Sequence, residues 1–147
     1  MGNTNILIVS HASLCEGLVD AFHMLISSKE ETISAVSLTD AGVEDFRHRL
    51  SKRVEALLGQ GPLLIMSDLF GGTPFNEANM IYQRNLDSVR LVSGANFPML
   101  AEAGLLAMSG GGLQEVYECA LESGRAGVMG TDSLASDKGP DNDDDLF

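Results

Sequence analysis

The chain has 147 residues, of which 44% are hydrophobic and 20% charged, with 16 glycines and no tryptophan. That length suits one ordinary domain able to bury most of its apolar surface, and the composition excludes a disordered or fibrous chain. A formal net charge of −12 repels nucleic acid and anionic lipid and suits basic protein partners, so no nucleic-acid role is expected.

The charge is uneven. Residues 131–147 hold Asp132, Asp137, Asp141, Asp143, Asp144 and Asp145 against Lys138 alone. Apolar residues thin out from Gly130 onward. The organisation expected is one domain over residues 1–130 and a flexible acidic tail over 131–147. Cys15 and Cys119 stand far apart, with no CxxC or Cys/His cluster, and read as reduced packing residues rather than a metal site or a disulfide. The apolar run Ile6–Val9 is too short for a signal sequence and lacks a basic flank. No run approaches the ~20 residues of a membrane span, so the cytoplasm is the expected compartment.

In chain order, Asn5–His11 is a short apolar run with β-branched residues, predicting a buried strand with His11 at its C-terminal end. Leu14, Leu18, Ala21, Phe22 and Leu25 fall on one helical face. Thr32–Leu38 predicts a second strand. Asp40 is a candidate N-cap for a helix whose stripe is Val43, Phe46, Leu50, Val54 and Leu57, with Gly59 ending it and Arg47, Arg49, Lys52 and Arg53 mostly on the solvated side. Pro62–Met66 predicts a third buried strand, with Asp68 just past its end. Thr73-Pro74 reads as a helix start, the hydroxyl capping and the proline at the first helical position, and that helix should run to about Gln83. Val89–Val92 predicts a fourth strand.

Asn96 is read as the cap of a helix around Phe97–Met108, with lining of the active crevice as its second reading, and Phe97 and Met99 as wall or core. Ser109–Gly112 is a connector to a last helix, Leu113–Ser123, with Gly124 as its stop. A short fifth strand is expected from Arg125–Met129. Alternating strands and helices predict an α/β fold: a doubly wound, mainly parallel open sheet of four to five strands with helices on both faces.

In such sheets reactive groups gather beyond the C-terminal strand ends where strand order reverses. That rule brings His11 and Asp68 to one crevice, with the N-termini of the first and third helices offering N–H groups to an anion. A carboxylate holding one ring nitrogen leaves the other free to attack phosphorus, and this is the orienting role assigned to Asp68. Gly71, Gly72 and Thr73 would contact the phosphoryl group through a turn that permits close backbone approach. No metal or cofactor is required. His11 alone is weak evidence, since histidines also cap and pack; its companions raise it. His23 and His48 lack such companions and read as ordinary helix residues.

Ile8-Val9-Ser10-His11, the block Ser67-Asp68-Leu69-Phe70-Gly71-Gly72-Thr73-Pro74-Phe75-Asn76, and Ser93-Gly94-Ala95-Asn96-Phe97-Pro98-Met99 together resemble the mannose-family IIA components of the phosphoenolpyruvate-dependent sugar phosphotransferase system, over roughly Asn5–Val128. The resemblance implies a phosphocarrier in which His11 is phosphorylated, on the ring nitrogen remote from the backbone, with Asp68 orienting it and Thr73 facing the phosphoryl group. It also implies a donor, the histidine-containing phosphocarrier protein, and a recipient, a IIB component. Beyond these it implies membrane IIC and IID components reached only through protein contacts, and a homodimer. The aspartate-rich tail departs from the family's core pattern. Two other readings stay open: a regulatory partner-binding module of the same fold, and the phosphotransfer subunit of a dihydroxyacetone kinase. Metal-dependent hydrolysis ranks lower, because one His and one Asp lack a third ligand.

Overall fold

Ile6, Leu7, Ile8 and Val9 are all fully buried, and successive side chains of a strand point to opposite faces, so the first strand must be covered on both sides. A computed structural model describes residues 3–26 and 32–132. The elements are β1 (Asn5–His11), α1 (Leu14–Leu25), β2 (Ile33–Leu38), α2 (Val43–Leu58), β3 (Leu63–Ser67), α3 (Thr73–Arg84), β4 (Val89–Val92), α4 (Phe97–Met108) and α5 (Leu113–Ala126). The strands form one parallel sheet in the order β2-β1-β3-β4.

Two cores follow from the pleat. Ile6 and Ile8 pack with Leu64, Met66 and Val92 beneath α1, α4 and α5, through Phe22, Leu100, Ala103 and Val116. Leu7 and Val9 pack with Leu63, Ile65 and Val89 beneath α2 and α3, through Phe46, Leu50, Val54 and Ile81. Each fully buried Leu, Ile or Phe is worth about 1.5–3 kcal/mol. The doubly wound α/β sheet expected from the sequence is therefore the observed fold.

Several expectations are corrected. Among the described residues the sheet has four strands; Arg125 and Ala126 belong to α5, and Val128 and Met129 lie in no strand. Gly124 does not stop that helix. It is buried against α4, where a Cβ would stand 2.7 Å from Met99 Cε, so a glycine here serves packing and the helix continues until Gly127. Asp40 is not a cap: α2 is preceded by Gly42, whose φ of 103° closes the turn after Thr39. Thr73 is the first helical residue of α3 rather than its cap, and Gly72 precedes it.

The buried stripe of α1 is Cys15 and Phe22, joined by Leu18, Val19 and Ile26. Leu14 and Leu25 are exposed, as is Val43 at the start of α2. The phase of α1 is set where it leaves the sheet, because Cys15 N–H donates to the buried Ser10 Oγ at 2.8 Å and so turns Cys15 inward. The aspartate-rich stretch from residue 133 lies outside the described residues.

Candidate functional site

β1 and β3 are adjacent, and β2 and β4 extend the sheet in opposite directions from them, so the strand order reverses between β1 and β3. That is where an open α/β sheet presents its crevice. Val9 is in register with Ser67, and Asp68 N–H continues the pairing by donating to Val9 O at 3.2 Å. His11 and Asp68 therefore leave the two strands side by side, as the sequence predicts.

Their contact is double. Asp68 Oδ2 accepts the backbone N–H of His11 at 2.9 Å and lies 2.9 Å from His11 Nδ1. A carboxylate oxygen is an acceptor, so Nδ1–H donates to it, and in the neutral ring that leaves the lone pair on Nε2. The Asp68 side chain is 10% exposed while that of His11 is 47% exposed. Its second oxygen, Oδ1, is buried with no hydrogen-bond partner among the described residues, which concentrates the carboxylate's interactions on His11.

Ser67–Thr73 turns the chain from β3 into α3. Gly71 has φ 85°, a conformation costly for residues with a Cβ. Asn76 locks the turn, its Nδ2 donating to Gly71 O at 3.1 Å and its backbone N–H to Gly72 O at 2.9 Å. At Gly72 the reason for glycine is close approach: a Cβ would stand 2.8 Å from His11 Cε1 and 3.4 Å from Nε2. The imidazole edge thus lies against the Gly72 backbone. Thr73, half-buried, opens α3 immediately after it, and no side chain caps that helix. The first-turn N–H groups of a helix have no intrahelical partner and favour an anion. The four predicted companions of His11 therefore occupy one turn at its side.

The first helix contributes less than expected, because one of its first-turn donors, Cys15 N–H, is already bonded to Ser10 Oγ. Sequence reasoning also missed Ser10 and Ala12. Ala12 has φ 51°, strained for alanine, and is held there by Ser10 Oγ donating to Ala12 O at 3.1 Å and by its own N–H donating to Leu38 O at 2.8 Å. The only signal available was a buried serine directly before the histidine. Asn96 does cap α4, its Oδ1 accepting from Met99 N–H at 3.0 Å, while its Nδ2 donates to Gly124 O at 3.0 Å. Met99 is core. His48 is exposed and His23 half-buried on their helices.

Leu69 and Phe70 are 58% and 75% exposed beside the site, with the Phe70 ring tilted against Phe75 at 4.6 Å between centroids. Phe70 also borders a cleft of about 590 Å³ along β4, lined with Phe75, Tyr82, Arg90, Asn96 and Tyr117; His11 and Asp68 do not line it. The histidine stands on an open rim, not in an enclosed chamber. Among the described residues no group of three or more His, Cys, Asp or Glu side chains is placed to hold a metal ion. No helix among them is long and apolar enough to cross a membrane.

The chain is thus an open parallel α/β sheet with an accessible histidine, engaged by a carboxylate, at its switch point. The family model described as the PTS system fructose IIA component matches residues 5–121, and the chain belongs to that family. It is 26% identical over 123 residues to the mannose-specific EIIAB component of the phosphotransferase system from Escherichia coli (strain K12), an alignment covering 84% of this chain and 38% of that relative. The chain thus spans well under half the length of the curated relative it matches. Its fold matches phosphotransferase system component EIIA from Streptococcus agalactiae, with TM-score 0.78 and 23% identity over 88% of this chain and 98% of that one. The IIA protein associated with the fucose utilization operon of Streptococcus pneumoniae matches with TM-score 0.75 and 26% identity, over 91% and 97%.

Proposed function

We propose that this chain is the phosphohistidine carrier of a sugar phosphotransferase system, with His11 as the residue that accepts and hands on the phosphoryl group. The observation that carries this reading is the engagement of Nδ1 by Asp68 at 2.9 Å while the ring remains 47% exposed. One nitrogen is held and protonated; the other is free, nucleophilic and within reach of a protein partner.

In the step proposed, the Nε2 lone pair attacks the phosphorus of a phosphohistidine on the histidine-containing phosphocarrier protein. The N–P bond of the donor breaks, its electron pair returns to the donor ring, and a new N–P bond forms on His11. The His11 ring gains positive charge, which the Asp68 carboxylate stabilises through Nδ1–H. The first-turn N–H groups of α3 and the Thr73 hydroxyl meet the oxygens of the transferred group, and Gly72 leaves room for it. The step balances without a metal or cofactor.

Delivery to a IIB component reverses these roles. The name of the curated relative joins A and B components, which supports a IIB protein as the next recipient. Membrane IIC and IID components would then couple the transfer to sugar uptake, with this chain in the cytoplasm and meeting the membrane only through those partners. The carrier domain is residues 1–130, ahead of an acidic tail over 131–147, and it acts as a homodimer. An open rim flanked by Leu69 and Phe70 suits a protein donor better than a small sugar, which would need an enclosing pocket.

Incubation with the general phosphotransferase proteins and labelled phosphoenolpyruvate tests the assignment. Label should enter the parent chain and be chased by a IIB protein. Label persisting unchanged in His11→Ala would sink the assignment, and label that no IIB protein removes would favour a regulatory binding module.

A further inference from the structure

Glu77 is the only acid in α3, and it stands one turn below Thr73. Residues four apart on a helix are neighbours on one face, separated by about 5.4 Å along the axis. Helical side chains tilt toward the N-terminus, so each covers the turn that precedes it. An unrestrained Glu77 would therefore lean toward the first turn of α3, which has no side-chain cap and favours an anion. It is also on the flank nearer His11. The strand order is β2-β1-β3-β4, and on this face α2 covers β2 while α3 covers β4. The flank of α3 that meets α2 is thus on the side of β1, the strand that ends in His11.

The carboxylate is not left unrestrained. Arg47 of α2 takes it with both arms: Nε donates to Oε1 and Nη2 donates to Oε2, each at 2.9 Å. The Glu77 side chain is 11% exposed and that of Arg47 50%, so the acid is held between the helices while the base reaches it from the solvent side. A fork-to-fork pair fixes orientation as well as charge. The Arg49–Asp45 pair, by contrast, joins two turns of α2 alone. Neither Arg47 nor Glu77 takes part in the transfer step proposed above.

We propose that Arg47 is a positioning residue for phosphoryl transfer: it clamps the Glu77 carboxylate against α2 and offsets its charge, keeping the first turn of α3 open to the phosphoryl group. The inference rests on the carrier reading of His11 and goes beyond it by naming a residue that acts through Glu77 rather than on the ring. A phosphoryl group is strongly anionic. A bare carboxylate about one helical turn away opposes its arrival, by enough to slow transfer about 10-fold at the intermediate dielectric of a protein surface. It would also compete for the first-turn N–H groups. Both penalties come from the charge on Glu77, not from the loss of a link between α2 and α3.

The test is single-turnover labelling of the full chain by saturating phosphorylated donor protein, in the parent, Arg47→Ala, Glu77→Gln and the double variant. At low salt Arg47→Ala should be labelled about 10-fold more slowly than the parent. In about 0.5 M salt it should come within roughly 2-fold of the parent at the same salt. Glu77→Gln should match or exceed the parent, and the double variant should return to within about 2-fold of it. A mere brace between helices predicts that all three variants are slow, because each has lost the ion pair. A double variant as slow as Arg47→Ala therefore overturns the proposal, and so does Arg47→Ala labelled at the parent's rate. A parent chain that takes no label at all sinks the carrier reading instead, and the proposal falls with it.

Discussion

Asp68 holds His11 twice through one oxygen: Oδ2 accepts the His11 main-chain N–H and engages ring Nδ1, both at 2.9 Å. The backbone contact fixes where the side chain begins and the ring contact fixes how it turns, so the direction of Nε2 follows from a single carboxylate. An asparagine could keep this geometry through its carbonyl oxygen but would lack the negative charge that stabilises a cationic ring.

Asp68→Asn should therefore fold normally and slow phosphorylation of His11 by about 10²–10⁴-fold, while His11→Ala should accept no label at all. Rapid-quench measurement of label uptake, beside circular dichroism of each variant, checks both. A rate within a few-fold of the parent in Asp68→Asn would show that Asp68 positions the ring without stabilising its charge.

Gly72→Ala isolates close approach from backbone strain, since Gly72 has φ −77°, which alanine adopts freely. The added Cβ would meet His11 Cε1 at 2.8 Å, so the ring must swing away from Asp68 or the turn must shift. Transfer should fall by about 10²-fold while stability changes by no more than about 1 kcal/mol. Phosphorylation rate and urea midpoint, measured on the same preparation, separate the two effects.

Asn96 joins α4 to α5 with both halves of its amide. Asn96→Ala removes the cap and leaves Gly124 O unpaired, at a cost of about 1–2 kcal/mol. Asn96→Asp keeps the capping oxygen and should recover roughly half of that. Urea unfolding should show lowered midpoints with an unchanged m value.

The two thiols should differ in reactivity. Burial pushes the Cys15 thiol up, and the neighbouring Glu16 carboxylate adds to this, outweighing the hydrogen bonding with Ser10 that lowers it. A raised thiol pKa means less thiolate at neutral pH, and thiolate is the reacting form. Half-buried Cys119 should be alkylated in the native chain at pH 7. Cys15 should react only above the usual thiol range or after unfolding. Mass spectrometry of timed iodoacetamide reactions checks this, and equal rates for both thiols would contradict it.

Much of the fold was legible because strands covered on both faces need continuous apolar runs. Ile6–Val9 and Leu63–Met66 have them, and alternation with helical periods left a parallel sheet as the simplest arrangement. Helix phase and extent were less legible. Leu14 and Leu25 satisfy a helical stripe as well as Cys15 and Phe22 do, and only the bond from Cys15 N–H to Ser10 Oγ selects the second set. Gly124 reads as a stop because glycine usually ends helices, yet here it admits Met99.

By itself, the sequence determined that an apolar strand ends in His11, that a second ends just before Asp68, and that a glycine pair precedes a proline-containing helix start. These are local features, set by side-chain type and spacing. Only the tertiary structure decided that one oxygen of Asp68 takes both the main chain and the ring of His11, that Gly72 is the surface on which the ring lies, and that Ala12 is held at φ 51° beside it. Those relations depend on the register of β1 against β3, and long-range pairing is not encoded in any one segment.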